Sequence, residues 1–473
     1  MSSNQQTTTD ATPAYRYRWL VLTVVLIAEM MDLLDSTIVN VAGPSLAREL
    51  GASSTDLQWV IGGYALALGS GLILGGRLGD RFSRRSMFMF GLLGFTLASL
   101  LCASAPTVGL LIAFRLVQGF LGAMLLPQGF GLIRETFPPE EFGKAFAAYG
   151  PAFGLGGVLG PVIGGYLIDG DIAGLGWRAV FLVNVPIGIV AAILSWRYLP
   201  KTAGDKTLKI DIWGALVVIL ASGMLVYPLI NGQDAGWPAW TYLMLIGSFV
   251  VFYLFSFMER RAAAKGHTTL IDASIFKNRS YNLGLAGLGL YFSAFTGIYL
   301  ILTLFLQFGR NFTSSEAGLG NLPIAIGAAI GGGISGGFLA DKLGSRVLQI
   351  GGVVQLLGVA TLWFTIGQET FNIWQIVPGL VISGIGTGLI AAPIFDIVLS
   401  SVSGKQTGSG SGVMSAVQSV SSSVGVAIFG TVFFNQALKG AAEQGFRNAL
   451  IVQVVIVVLF LALSPAFPKK VAH

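Results

Sequence analysis

The 473-residue chain has one cysteine, Cys102, and two histidines, His267 and His473. A single cysteine excludes an internal disulfide, and with so few histidines neither a Cys/His metal cluster nor a c-type haem site is expected. Catalysis that needs a histidine base has almost no material. Charge is equally scarce: Asp, Glu, Lys and Arg make up 11% of the residues, against about a quarter in soluble domains. A phosphate loop of the GxxxxGK[ST] kind is missing as well, since Gly143-Lys144 runs into Ala145 and Gly404-Lys405 into Gln406. These gaps argue against an enzyme and against ATP hydrolysis by that route.

Apolar residues fill the space that charge leaves. They make up 54% of the chain, and the mean hydropathy is +0.76. An all-α integral membrane protein is expected, because a membrane-crossing helix takes about 20 mostly apolar residues. The 65 glycines are about twice the ordinary usage, which suits helices packed closely through small residues. Apolar runs between charged or Gly/Pro-marked breaks predict a first group of spans at 19–41, 57–77, 86–104, 108–131, 143–168 and 178–198. Two more follow at 211–231 and 239–259, then a last group at 281–307, 318–340, 345–366, 374–400, 408–435 and 447–466. That makes fourteen.

Residues 1–18 are polar, rich in Ser, Thr and Gln, and are expected to be a cytoplasmic tail, as are 467–473. The first apolar run is longer than a signal-peptide core and holds Glu29, Asp32 and Asp35, so it is expected to be retained as a helix. Of the 28 Lys and Arg, the outer loops would hold only Arg48, Arg178, Arg310, Lys439 and Arg447, while Arg115 falls inside a span. This is the positive-inside pattern for an even span count with both termini inside. The net charge of +6 then reports topology, and no nucleic-acid partner is expected.

An internal repeat runs through the chain. Gly76-Arg77-Leu78-Gly79-Asp80-Arg81-Phe82-Ser83-Arg84-Arg85 is echoed by Gly337-Phe338-Leu339-Ala340-Asp341-Lys342-Leu343-Gly344-Ser345-Arg346. Weaker echoes pair Gly122 and Pro127 with Gly388 and Pro393, and Gly160 and Gly165 with Gly425 and Gly430. Duplicated helix bundles are what alternating-access transporters are built from. The expected division is a bundle at 19–200, two inserted spans at 201–265, and a second bundle at 266–466.

Ionisable residues inside a membrane are costly enough to count as functional candidates. At 100° per residue, Glu29, Asp32, Ser36 and Asn40 share one face of span 1, with Asp35 further round. Glu29 lies about 15 Å in from Trp19 at 1.5 Å per residue, near the midplane. Arg115 sits about 10 Å below the outer end of span 4, at a depth similar to Asp35, so the two are expected to meet. Arg115 keeps its charge and would act on a nearby carboxylate or on cargo. Tyr64, Met124, Gln128, Tyr149, Phe153, Tyr291, Phe295, Tyr299 and Gln418 are candidate lining for a substrate cavity, because aromatic and Met walls suit apolar or cationic cargo. Ordinary packing is the competing account of each.

These motifs resemble those of the major facilitator superfamily. The loop around Asp80 is similar to its motif A, with Ser83 where that pattern usually has Gly. Arg115-Leu116-Val117-Gln118-Gly119 with Gly122-Ala123 resembles motif B. Gly156-Gly157-Val158-Leu159-Gly160-Pro161-Val162-Ile163-Gly164-Gly165 resembles motif C, the antiporter pattern. Leu34-Asp35-Ser36-Thr37-Ile38-Val39-Asn40-Val41-Ala42-Gly43-Pro44 and Trp177-Arg178-Ala179-Val180-Phe181-Leu182-Val183-Asn184-Val185-Pro186-Ile187-Gly188 are similar to the fourteen-span drug:proton antiporters of the EmrB/QacA type.

That resemblance implies proton-coupled efflux of amphiphilic drugs or toxic compounds, with no cofactor beyond the proton-motive force. Protons, small amphiphiles and the lipid bilayer are the expected partners, in a monomer of the bacterial inner membrane. Glu29, Asp32, Asp35 and Arg115 would couple protons to cargo. Gly76, Asp80, Arg81, Arg84, Arg85 and Asp341 would gate, with Asp80 latched against the start of span 13 near Gly408. Gly156, Gly160, Pro161, Gly164 and Gly165 would form the antiporter helix. The alternatives are an exporter of one endogenous metabolite, such as a self-made antibiotic or siderophore, and a substrate:proton symporter.

Overall fold

The computed structural model describes residues 15–138, 141, 145, 149–208, 210–265, 269–271, 273–335, 339–366, 372–400, 402 and 407–467. Among these no strand occurs. The long helices are α1 (Arg18–Ile38), α2 (Ser54–Phe82), α3 (Arg84–Ala103), α4 (Val108–Thr136), α5 (Tyr149–Asp169), α6 (Gly176–Tyr198), α7 (Ile212–Asn231) and α8 (Ala239–Ala264). They continue with α9 (Arg279–Leu304), α10 (Ser314–Ile334), α11 (Arg346–Ile366), α12 (Ile373–Ser400), α13 (Thr407–Ala437) and α14 (Ala442–Leu463).

Local sequence marks the starts of these helices. Ser53 caps α2 in a box with Asp56, and Thr313 caps α10 in a box with Glu316. Thr107, Asp211 and Asn278 accept backbone N–H groups at the starts of α4, α7 and α9. Each relieves donors that the first turn leaves unsatisfied. Span 1 does not stop where its apolar run does. A short 3-10 stretch, Val39–Ala42, leads into the amphipathic helix Gly43–Leu50, which closes at Gly51 with φ +64°.

Twelve helices, not fourteen, are long and apolar enough to cross a membrane among the described residues. The two that fall short are α1 and α5. In α1 the body carries Glu29, Asp32 and Asp35, which lower its apolarity. In α5 the side chains of residues 149–158 lie outside the described residues, which leaves the apolar stretch Leu159–Asp169.

Packing follows the sequence repeat. Within α1–α6, α4 packs on α2 and α3, α5 and α6 pack on α1, and α6 also packs on α3. Within α9–α14, the same pairings recur eight helices later: α12 on α10 and α11, α13 and α14 on α9, and α14 on α11. Small residues set these distances. A Cβ on Gly91 would come within 2.9 Å of the Leu125 Cα, and one on Gly351 within 2.8 Å of the Ile390 side chain. The halves meet along two seams, α2 with α13 and α5 with α10. Helix α7 lies over the first seam, where Val226 and Ile230 pack with Leu66 of α2 and Ala427 of α13. Helix α8 rests mainly on α7 and is the least buried of the twelve.

Candidate functional site

The three acidic residues of α1 are buried, and the fold separates their surroundings. Asp35 is 0% exposed. Its Oδ2 pairs with Arg115 Nη1, and its Oδ1 accepts from Gln118 Nε2 at 2.8 Å and from Asn184 Nδ2 at 2.6 Å. Ser99 of α3 closes the cluster, accepting from Gln118 Nε2 at 2.8 Å. One carboxylate thus gathers α1, α3, α4 and α6 around itself.

Arg115 is held from every side. Its Nε donates to the Val60 carbonyl at 3.0 Å, and its Nη1 also donates to Gln118 Oε1 at 2.8 Å. The guanidinium carbon lies 4.1 Å from the centroid of the Tyr64 ring and 5.7 Å from that of Phe181. The Tyr64 hydroxyl in turn donates to Asp32 Oδ1. Asp32, Tyr64, Arg115 and Asp35 therefore form one continuous buried chain across α1, α2 and α4. Glu29 lies one turn before Asp32 and is also buried, with Oε1 unpartnered among the described residues. The depth argument that brought Asp35 to Arg115 agrees with this geometry. Missed were Gln118, Asn184 and Ser99 as their partners, although two of these stand inside the quoted motifs.

The loop between α2 and α3 is tied locally. Asp80 Oδ1 accepts from Arg84 Nη2 at 2.9 Å, and Arg84 Nε reaches Glu135 Oε1 at 2.9 Å. The Asp80 carbonyl accepts from the Asp205 N–H at 2.9 Å. Asp205 sits in the loop after α6 with its carboxyl held below the usual range, because the Thr207 hydroxyl and then the Thr207 N–H donate to it. Arg85 donates to the Trp196 carbonyl at 2.6 Å, the Arg81 guanidinium lies 5.4 Å from the Phe82 ring, and a Cβ on Gly76 would touch Pro127. Ser83 has φ +98°, a conformation that favours glycine, which explains the Gly that the motif usually carries there. The side chains at the start of α13, where a partner for Asp80 is expected, and the side chain of Asp341 lie outside the described residues.

In α5 the glycines work by proximity. A Cβ on Gly164 would meet Ile38 of α1 and Val41 of the 3-10 stretch that follows it, and one on Gly160 would meet Thr37. On Gly165 it would come within 2.5 Å of the Ser315 Cα on α10. The Pro161 backbone lies against Gly318. The backbone of Gly156 lies within α5.

The cavity candidates divide. Tyr64 belongs to the charged chain. Met124 is buried among the first half's helices. Gln128 is buried too, and its amide is spent on the Gly75 carbonyl at 2.8 Å and the Met124 carbonyl at 3.2 Å, so it ties α2 to α4. Tyr291, Phe295 and Tyr299 form an aromatic ladder up α9, with ring centroids 6.0 and 4.8 Å apart. Gln418 is half-buried on α13. The side chains of Tyr149 and Phe153 lie outside the described residues.

Such a site suits translocation: buried charge inside apolar helices, two repeated halves, and among the described residues no group of His, Cys, Asp and Glu able to hold a metal. Known proteins agree. The profile of the Major Facilitator Superfamily matches residues 25–426. The "Probable actinorhodin transporter" of Streptomyces coelicolor is 41% identical over 89% of this chain and 73% of its own length. The "Puromycin resistance protein pur8" of Streptomyces alboniger is 32% identical over 91% of this chain and 85% of its own. Among solved structures, a bacterial homologue of the human lysosomal transporter Spinster, in an inward-facing and occupied conformation, superposes with a TM-score of 0.68 at 17% identity, covering 95% of this chain and 96% of that one. The matched profile, the relatives and the repeated helical packing agree: this chain belongs to the Major Facilitator Superfamily and is a transporter, not an enzyme.

Proposed function

We propose that the protein exports amphiphilic drugs or antibiotics across the cytoplasmic membrane in exchange for protons, by rocking its two halves about a central site. The observation that carries this reading is the buried chain from Asp32 through Tyr64 and Arg115 to Asp35. Arg115 keeps its charge throughout, and Asp35 is already neutralised by it. Glu29 and Asp32 make no ion pair among the described residues, so a change in proton occupancy falls on them. An inward proton gains about 2.3 kcal/mol per 100 mV of membrane potential, enough to move cargo uphill.

Helices α1 and α5 also cross the membrane in this reading, giving fourteen spans with both termini cytoplasmic. The Asp205 N–H bonds the Asp80 carbonyl, so the chain returns to one face between these residues. With α3, α4 and α6 already crossing, α5 supplies the even count. For α1, Arg18 at its start pairs with Glu141 beyond α4 at 2.6 Å, while Gly43 past its end lies against Leu57 near the start of α2. The ends of α1 thus lie near opposite ends of its neighbours.

The test uses purified protein in liposomes with an acidic interior and an internal pH dye, adding ethidium outside. Antiport predicts that ethidium entry raises internal pH, and that Asp32→Asn cuts this coupled signal at least tenfold. A fall in internal pH on ethidium addition would point to symport and overturn the reading, as would full coupling in both Asp32→Asn and Glu29→Gln. A narrower reading, export of one self-made antibiotic, is favoured by relatives whose names tie them to actinorhodin, puromycin and tetracenomycin C. It predicts transport of one antibiotic scaffold and none of ethidium.

A further inference from the structure

The α5–α10 seam closes on a charged contact that the coupling chain does not use. Asp169 is the last residue of α5, at the end of the molecule opposite the Asp80 loop. Its Oδ1 accepts from the Ser314 N–H at 3.2 Å and its Oδ2 from the Ser315 N–H at 2.7 Å. The Ser315 hydroxyl also donates to Oδ2. These donors are the free N–H groups that begin α10, just after its cap Thr313. A carboxylate of one half therefore sits on the positive end of a helix in the other, where charge-assisted bonds and the helix dipole act together.

Two glycines make the approach possible. Gly165 puts the α5 backbone against Ser314 and Ser315, and Gly318 receives the Pro161 backbone. The seam is in direct backbone contact at Gly165 and at Pro161 with Gly318, while Asp169 itself is exposed at its rim, so water partly screens the bond. Among the described residues, two further hydrogen bonds between the halves are neutral: Gln307 Nε2 donates to the Val41 carbonyl at 2.8 Å, and Ser423 Oγ to the Gly62 carbonyl at 2.8 Å.

We propose that Asp169 is the latch that holds the two halves together on this face, and that its bonds to Ser314 and Ser315 break each time the face opens. The inference rests on the alternating-access reading above. It sets a division of labour, in which the α1 chain senses protons and cargo while Asp169 weights the closed state.

The test works in a Cys102→Ser background. Asp169→Cys with Ser315→Cys should form a disulfide under copper phenanthroline, cut ethidium transport at least tenfold, and recover with reductant. Transport that continues in the cross-linked protein, or no cross-link in folded protein, would overturn the latch. A second readout needs no transport. Spin labels at Ile172→Cys and Leu438→Cys, both exposed and on different halves, report the opening of this face. Asp169→Ala should raise the long-distance population roughly three- to tenfold, and Asp169→Asn, which keeps one acceptor oxygen, should raise it less. An unchanged distance distribution in Asp169→Ala overturns the proposal. If the wild-type protein moves no cargo, the transport reading fails while the distances still judge the latch.

Discussion

Asp35 is the residue whose removal leaves the most undone. Without it Arg115 is a buried cation with no carboxylate, and breaking a buried pair from one side costs about 3–5 kcal/mol. Asp35→Ala should therefore lower the melting temperature of the purified protein more than Asp35→Ala with Arg115→Leu, which removes both charges. A double variant less stable than the single would contradict this. Asn184→Ala should fall between that single variant and wild type. It takes one donor from a charged acceptor, worth about 1–3 kcal/mol, and orphans little else, since Asn184 Oδ1 is itself unpartnered among the described residues. The sequence carried the Asp35–Arg115 encounter because depth along a helix can be counted from its end. Asn184 is 149 residues from Asp35, and nothing in a linear pattern says that span 6 turns that face toward span 1. The same limit applies to Gln128, a candidate for cavity lining whose amide the fold spends on the Gly75 carbonyl.

Helices here are spaced by their glycines, and the spacing is unequal from site to site. A Cβ on Gly75 would strike the Ala123 carbonyl, and one on Gly119 the Tyr64 carbonyl, so α2 and α4 touch backbone to backbone. Gly75→Ala should lower the melting temperature by several degrees and reduce transport, because α2 carries Tyr64. Gly223→Ala on α7 meets nothing within 4 Å and should be neutral or stabilising by up to about 1 kcal/mol, the helix-propensity difference. Equal destabilisation by both would mean that helix spacing is not what these glycines set. The abundance of glycine was legible in composition, but which ones are contact points depends on the partner helix. Helix existence was legible too, since apolar runs of span length allow little else in lipid. Where span 1 ends was not. Its apolar run passes into Val39–Ala42 and then Gly43–Leu50, a change of helix type that hydropathy does not register.

At the scale of the molecule, the count of crossings decides which face each loop reaches, and α5 is the element on which it turns. The repeat made two equivalent halves legible. The position of α7 over the α2–α13 seam was not, because a helix apolar all round gives no direction to its partner. Three exposed loop residues test whether α5 crosses: Ser104 between α3 and α4, Lys206 between α6 and α7, and Asp234 between α7 and α8. Thr55 at the start of α2 donates to Asp234 Oδ2 at 2.5 Å, while Asp205, beside Lys206, bonds Asp80 at the other end of α2. A 29-residue helix is about 43 Å long at 1.5 Å per residue, longer than the hydrocarbon core of about 30 Å, so these loops belong to opposite faces. In intact cells carrying Cys102→Ser, a membrane-impermeant maleimide should label Ser104→Cys and Asp234→Cys, and should reach Lys206→Cys only after lysis. Labelling of Lys206→Cys together with Ser104→Cys would mean that α5 does not cross. The mirror pattern, with Lys206→Cys alone labelled in intact cells, would keep the crossing of α5 and invert the molecule in the membrane. In that case the basic loops would face outward, against the attraction that places them inside, and Asp169 would latch the cytoplasmic face.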